Sequence, residues 1–130
     1  VFRLAANCHV LIDASNNVET GSRLNLAAAK QHIPLVHARV WAMTGLLSTF
    51  WPGRGPCLAC AGLETPDNHH PALLSPLPGI MGALQALEVL RLLGGLGPAL
   101  LGRVLIFQGD QFTFTEKIIR FNPQCPICAA

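Results

Sequence analysis

Apolar runs broken at prolines and glycines organise the chain. "CHVLID", residues 8–13, is short, apolar and ends on an acid followed by "ASNN". A parallel strand buried on both faces hands over to a loop at its carboxyl end in this way. The residues before it form an apolar run that leads directly into that strand. From about 18 to 31, Leu24, Ala27 and Ala28, with Ile33 just beyond, fall near one stripe and predict a helix. Asn16 and Glu19 stand three apart before it, a capping box with Asn in place of Ser or Thr. Gly21 inside this helix costs about 1 kcal/mol relative to Ala. Pro34 closes the helix and "PLVHARV" supplies a second strand, so strand, helix and strand make a parallel pair joined by a crossover. "TGLLSTFWP", 44–52, is a third strand stopped by Pro52 and Gly53.

Residues 61–78 break the rhythm. Pro66, Pro71, Pro76 and Pro78 are interleaved with Asp67, Asn68, His69 and His70, without periodicity. This predicts a mobile crossover loop, longer than the roughly 12–15 residues at which loops are usually functional or flexible. A helix over 79–93 follows. Its Gly79, Gly82, Ala83 and Ala86 form a small-residue face open to another backbone, and Gln85, Glu88 and Arg91 form a narrow polar strip. On that pattern most of its circumference is covered by protein. "GGLG" ends it. "GRVLIFQGDQFTFTEKIIRF" then reads as a hairpin around "QGDQ".

Composition sharpens this α/β picture. At 130 residues the chain is one domain with a real core. It is 51% hydrophobic but only 12% charged, against about 25% charged in ordinary domains. Such a chain buries its elements heavily or hides apolar surface against something else. The net charge of +2 comes from scattered arginines, so no basic patch points to nucleic acid. The 79–95 segment is too short and too often interrupted to span a bilayer. No secretory signal is visible, and the apolar opening without Met looks like a cut inside a larger fold. The cysteine pattern favours a reducing compartment, so a cytoplasmic location is expected.

The strongest chemical signal is in the cysteines. Cys57 and Cys60, then Cys125 and Cys128, form two C-x2-C knuckles separated by 64 residues. Two-residue spacing lets both sulfurs of a knuckle face one ion, and two knuckles complete a tetrahedron. Zinc suits four thiolates because it is redox-silent and accepts tetrahedral geometry, and four protein ligands leave no place for a catalytic water. An iron–sulfur cluster, redox pairs and unliganded thiols are the alternatives. Cys8, at the start of an apolar strand, reads as a small core residue. His9, His32, His37, His69 and His70 are dispersed, and structural or surface roles fit them better than ligation. No catalytic triad, paired carboxylates, HExxH, GxGxxG or phosphate loop is present, so no residue is assigned to catalysis.

"VLIDASNN", "IPLV", "GPCLAC", "PLPGIMGALQALEVLRLL" and "NPQCPIC" occur in an order and spacing that resemble the ThiF/MoeB/HesA family of ubiquitin-activating-enzyme-like adenylyltransferases. The resemblance runs nearly the whole chain and corresponds to the family's C-terminal half. It implies the carrier-binding, zinc-bearing half of a doubly wound Rossmann-like sheet with an antiparallel hairpin, often in a homodimer. It implies binding of ATP and magnesium, and adenylation of the C-terminal Gly-Gly of a ubiquitin-like sulfur-carrier protein serving thiamine- or molybdopterin-type sulfur transfer. It assigns a zinc ion to Cys57, Cys60, Cys125 and Cys128. It places Asn16 and Asn17 at the nucleotide.

Departures accompany it. The family's "DCTDN" aspartate near the phosphates and magnesium is Asn16 here, and a neutral amide cannot offset a cation's charge as a carboxylate does. The arginine that usually follows falls at Gly21, with Arg23 two residues on, and the loop lacks the cysteine that some members carry near Asn68. The glycine-rich nucleotide loop belongs to a half not contained in this sequence, so the fragment alone is expected to be inactive. The contrasting possibility is a degenerate, non-catalytic, zinc-stabilised binding or dimerisation module.

Overall fold

The computed structural model describes residues 1–63 and 76–129. Most of the expected loop over 61–78, with Asn68, His69 and His70, lies outside the described residues. The elements are α1 (Phe2–Ala5), β1 (Leu11–Asp13), α2 (Val18–Gln31), β2 (Leu35–Trp41), β3 (Thr44–Phe50), α3 (Pro76–Leu93), β4 (Arg103–Gln108) and β5 (Thr113–Ile118). One five-stranded sheet runs β1-β2-β3-β4-β5. β1 and β2 are parallel and joined by α2, as the alternation of strand and helix requires. The remaining pairs are antiparallel: β2–β3 and β4–β5 are hairpins, while β3 and β4 are joined through the long connection that carries α3. The architecture is therefore a short Rossmann-like parallel edge continued by an antiparallel sheet.

Alternation along the strands divides two cores. Leu35, Leu46, Phe50 and Val104 face α2 and the segment after β3, where Ala27, Ala28 and Leu58 meet them. Val36, Ala38, Val40, Leu47 and Phe107 face the other way, against Leu77, Met81 and Val89 of α3. Gly45 on β3 is part of that second packing, because a Cβ there would lie 2.5 Å from the Met81 sulfur.

Three expectations change. The opening residues form the short helix α1 rather than leading into a strand, and β1 begins only at Leu11. Cys8 is therefore exposed, not core, and its thiol donates to the Leu4 carbonyl. The cap of α2 is one residue later than expected. Asn17 accepts from the Thr20 N–H at 2.9 Å, while Glu19 pairs with Arg23 at the surface.

The third change inverts α3. Its polar strip faces the protein. The Gln85 amide donates to the carbonyls of Asp13 and Val36, and Glu88 accepts from the Thr49 hydroxyl and the N–H groups of Ala99 and Leu100. Leu77, Met81 and Val89 pack inward beside them, but a second apolar face points outward, with Leu87 57%, Leu90 66% and Leu93 58% exposed, and nothing lies within 4 Å of a Cβ built at Gly79 or Gly82. Hydrophobic pattern alone assumes that polar residues seek water. Here the buried loop and strand ends carry backbone groups that need partners, and α3 supplies them.

Candidate functional site

Two sites emerge. The first is the cysteine cluster. Cys57 and Cys60 sit in the turns after β3, where the Leu58 N–H donates to the buried Asn25 side chain of α2. Cys125 and Cys128 sit on a tail knuckle held by the Cys125 N–H to Asn122 and the Ala129 N–H to Cys125. Cys57 and Cys125 sulfurs lie 3.6 Å apart, Cys60 and Cys128 3.5 Å, and all four lie within 4.8 Å of one another. A disulfide would need about 2.05 Å. Four sulfurs around zinc at about 2.3 Å are separated by about 3.7 Å, so the residues fit the ion. The folded chain brings together the four cysteines that the spacing selects.

The electrostatics point the same way. Burial pushes the Cys57 thiol up. Burial and the neighbouring sulfurs push Cys128 up. Burial also opposes ionisation of Cys125, but the N–H groups of Cys128 and Ile127 and the adjoining thiols outweigh it and bring Cys125 down to about 7. One thiolate is thus well supported by the protein. Four in this space require a cation.

The second site is the carboxyl end of β1 and β2, where ligands bind in open α/β sheets. A cleft of about 90 Å³ is lined there by Ala14, Asn16, Arg39, Val40, Pro78 and Gln85, among others. Beneath it, Asp13 and His37 are buried side by side, with Oδ2 and Nδ1 2.8 Å apart. Burial pushes the Asp13 carboxyl up, but hydrogen bonds from His37 and from the Ser15 hydroxyl and N–H prevail and hold it below its usual value. Asp13 is thus held ionised and buried against His37 and Ser15. Gly21 packs on the pair, since a Cβ would lie 2.9 Å from Asp13 Oδ2. An arginine has no room there. Arg23 does not replace it, because its guanidinium is on the exposed face with Glu19 at 2.6 Å.

Asn16 and Asn17 both stand at this end, each engaged within the protein. Asn17 caps α2. Asn16, with φ of 51°, bonds the Val40 backbone twice, through Nδ2 to the carbonyl and through Oδ1 from the N–H, both at 2.9 Å. Sequence reasoning missed Gln85 and His37 as parts of this end. The one available signal was their polarity inside apolar segments.

The comparisons with known proteins meet this geometry directly. The model of the ThiF family matches residues 1–127. The chain belongs to the ThiF family. Among relatives of this ThiF-family chain is SAMP-activating enzyme E1 of Haloferax volcanii, 37% identical over 98% of this chain and 49% of its own length. The adenylyltransferase and sulfurtransferase MOCS3-1 of Drosophila pseudoobscura is 38% identical over 93% of this chain and 28% of its own. This chain thus spans half or less of those relatives. In structure, E. coli MccB crystallised with ATP superposes with a TM-score of 0.78 at 17% identity, over 94% of this chain and 40% of that one. That similarity establishes the fold. Among the described residues no helix is long and apolar enough to cross a membrane.

Proposed function

We propose that this chain is the carrier-facing, metal-bearing part of a longer adenylyltransferase, which activates the C-terminal Gly-Gly of a ubiquitin-like sulfur-carrier protein with ATP. The observation that carries this is the alignment of 98% of the chain, at 37% identity, with a relative named as a SAMP-activating enzyme. The cleft at the carboxyl ends of β1 and β2 supports it, since an adenylate and the carrier's extended tail need a concave site at a strand end. Asn16 and Asn17 line the nucleotide side. ATP and magnesium are held by the parent enzyme, and the fragment alone is inactive. Zinc in the four-cysteine cluster is structural, fastening the tail to the segment after β3 in a reducing, cytoplasmic setting.

The outward face of α3 supports a homodimer. Leu87, Leu90 and Leu93 at one end and Gly79, Gly82 and Ala83 at the other are self-complementary about a two-fold axis, large residues against small. A second reading, a non-catalytic binding module with the same fold and metal, is favoured by two observations. An amide stands at 16, and position 21 has no room for a side chain. Carrier-dependent exchange of pyrophosphate into ATP by the full-length protein separates the two. Exchange is expected, and its absence with every cognate carrier would overturn the enzymatic reading in favour of the second.

A further inference from the structure

Asn16 stands where the resemblance calls for a magnesium-facing carboxylate, and its hydrogen bonds show what it does instead. β1 ends at Asp13, opposite His37. Beyond that point β2 continues to Trp41 with β3 on one side and no strand on the other. The register pairs Val40 with Gly45 of β3, yet the Val40 N–H and C=O both meet the Asn16 side chain. A primary carboxamide offers one acceptor and one donor side by side, the same pair that a peptide group presents to a neighbouring strand. The side chain of Asn16 therefore stands in for the strand that β1 no longer provides. Its left-handed backbone, φ 51°, is the conformation asparagine tolerates best among residues with a Cβ.

A magnesium ion does not fit this arrangement. Magnesium takes hard oxygen donors, usually one or two carboxylates with water and phosphate. None of the cleft-lining residues is acidic. Asp13, the carboxylate at the end of β1, is 1% exposed and already accepts from His37 and Ser15. Turning Asn16 to aspartate would supply a charge but remove the donor. A carboxylate only accepts, so one oxygen would face the Val40 carbonyl.

We infer that Asn16 is a positioning residue whose carboxamide completes the backbone pairing of β2 at the mouth of the cleft, and that aspartate at this position opens the mouth rather than creating a magnesium site. This concerns the same cleft as the adenylyltransferase reading but rests on geometry alone. Its test therefore reads stability and cation dependence, not adenylation, and stands whether or not exchange activity is found.

The test compares Asn16→Asp and Asn16→Ala with the wild type in the zinc-loaded full-length protein. The readouts are the melting midpoint and hydrogen exchange at the Val40 amide, between about pH 8 and about pH 5. At the alkaline end both variants are expected to melt roughly 5–10 °C lower and to lose Val40 protection. Facing a carbonyl, the new carboxyl is favoured in its protonated form, so its folded pKa is raised. The stability it contributes is then present at low pH and lost as pH rises through that pKa. Acidification should close the gap for Asn16→Asp, because COOH restores one donor and one acceptor, but not for Asn16→Ala. Millimolar magnesium should change none of these values. Wild-type stability of Asn16→Asp at about pH 8, a magnesium-dependent rise in its midpoint, or equal pH profiles for the two variants would each overturn the inference. If Asn16→Asp is unfolded at the alkaline end, recovery near pH 5 supports the inference and failure to recover overturns it.

Discussion

The cysteine cluster and the strand-end cleft are built on opposite terms. In the cluster four sulfurs face one another within 4.8 Å, a set that could hold a cation. At the strand-end site the amides and the buried acid are already answered from within. Asn16 is taken by Val40, Asn17 by α2, Asp13 by His37 and Ser15, and Gln85 by the Asp13 and Val36 carbonyls. The first region gathers like groups that a ligand could unite. The second is a surface whose asparagine and glutamine amides are already committed to the protein's own backbone.

The largest effect is expected in the cluster. Cys125→Ser should release the zinc, drop metal content below about half an equivalent and loosen the tail beyond Ile119, because structural zinc contributes about 10–16 kcal/mol of apparent binding free energy near neutral pH. Metal analysis with hydrogen exchange over residues 119–129 checks this. The pH dependence has a definite sign. Cys57 and Cys128 are held above the ordinary thiol value and must lose protons to ligate, so affinity falls as pH falls. Calorimetry in buffers of different ionisation enthalpy should show at least two protons released at neutral pH as zinc loads the wild type. Full stability after chelation would break the comparison, since both regions would then be self-sufficient.

A smaller effect is expected where α3 meets the cleft. Gln85→Leu keeps the volume but leaves two buried carbonyls, of Asp13 and Val36, without their donor. The cost should be about 2–3 kcal/mol by urea denaturation. A neutral outcome would mean that the cleft does not depend on internal pairing. Gly21→Ala comes next. A helix interior normally gains about 1 kcal/mol from this change. Here the new methyl would lie 2.9 Å from Asp13 Oδ2, so a net loss of about 1–2 kcal/mol is expected instead. If Gly21→Ala stabilises, the Asp13–His37 pair yields more readily than its burial suggests.

What could be read from the sequence follows the range of the interactions. Cysteine spacing, the parallel β1–α2–β2 unit and the β4–β5 hairpin are short-range patterns, and each appears, although β1 starts three residues late. The inverted α3 could not be read. Gln85 and Glu88 are interior because of backbone groups at positions 13, 36, 99 and 100, and no window along the helix contains those partners. Cys8 was misplaced for the opposite reason, since β1 is shorter than its apolar run. Asn16 and Asn17 both follow β1, but their bonds to Val40 and Thr20 depend on which of the two turns into the left-handed region. Two like residues in succession give no sign of that choice.

The smallest effect separates those two asparagines. Asn17 is the N-cap of α2 and uses only its side-chain oxygen, as acceptor from the Thr20 N–H. Asn17→Ala should cost about 1 kcal/mol. Asn17→Asp should cost nothing, or gain up to about 0.5 kcal/mol, because a carboxylate accepts the same bond and meets the positive end of the helix dipole. Asn16 needs its donor as well, so the same Asn→Asp change one residue earlier should destabilise at neutral pH. Adjacent positions, one substitution and opposite signs make a sensitive check on the geometry, read from paired denaturation curves of the two variants. If both respond alike, the assignment of cap and strand partner between Asn16 and Asn17 is wrong. The cleft would then have an amide free to meet a ligand, and the contrast with the cysteine cluster would narrow to the metal alone.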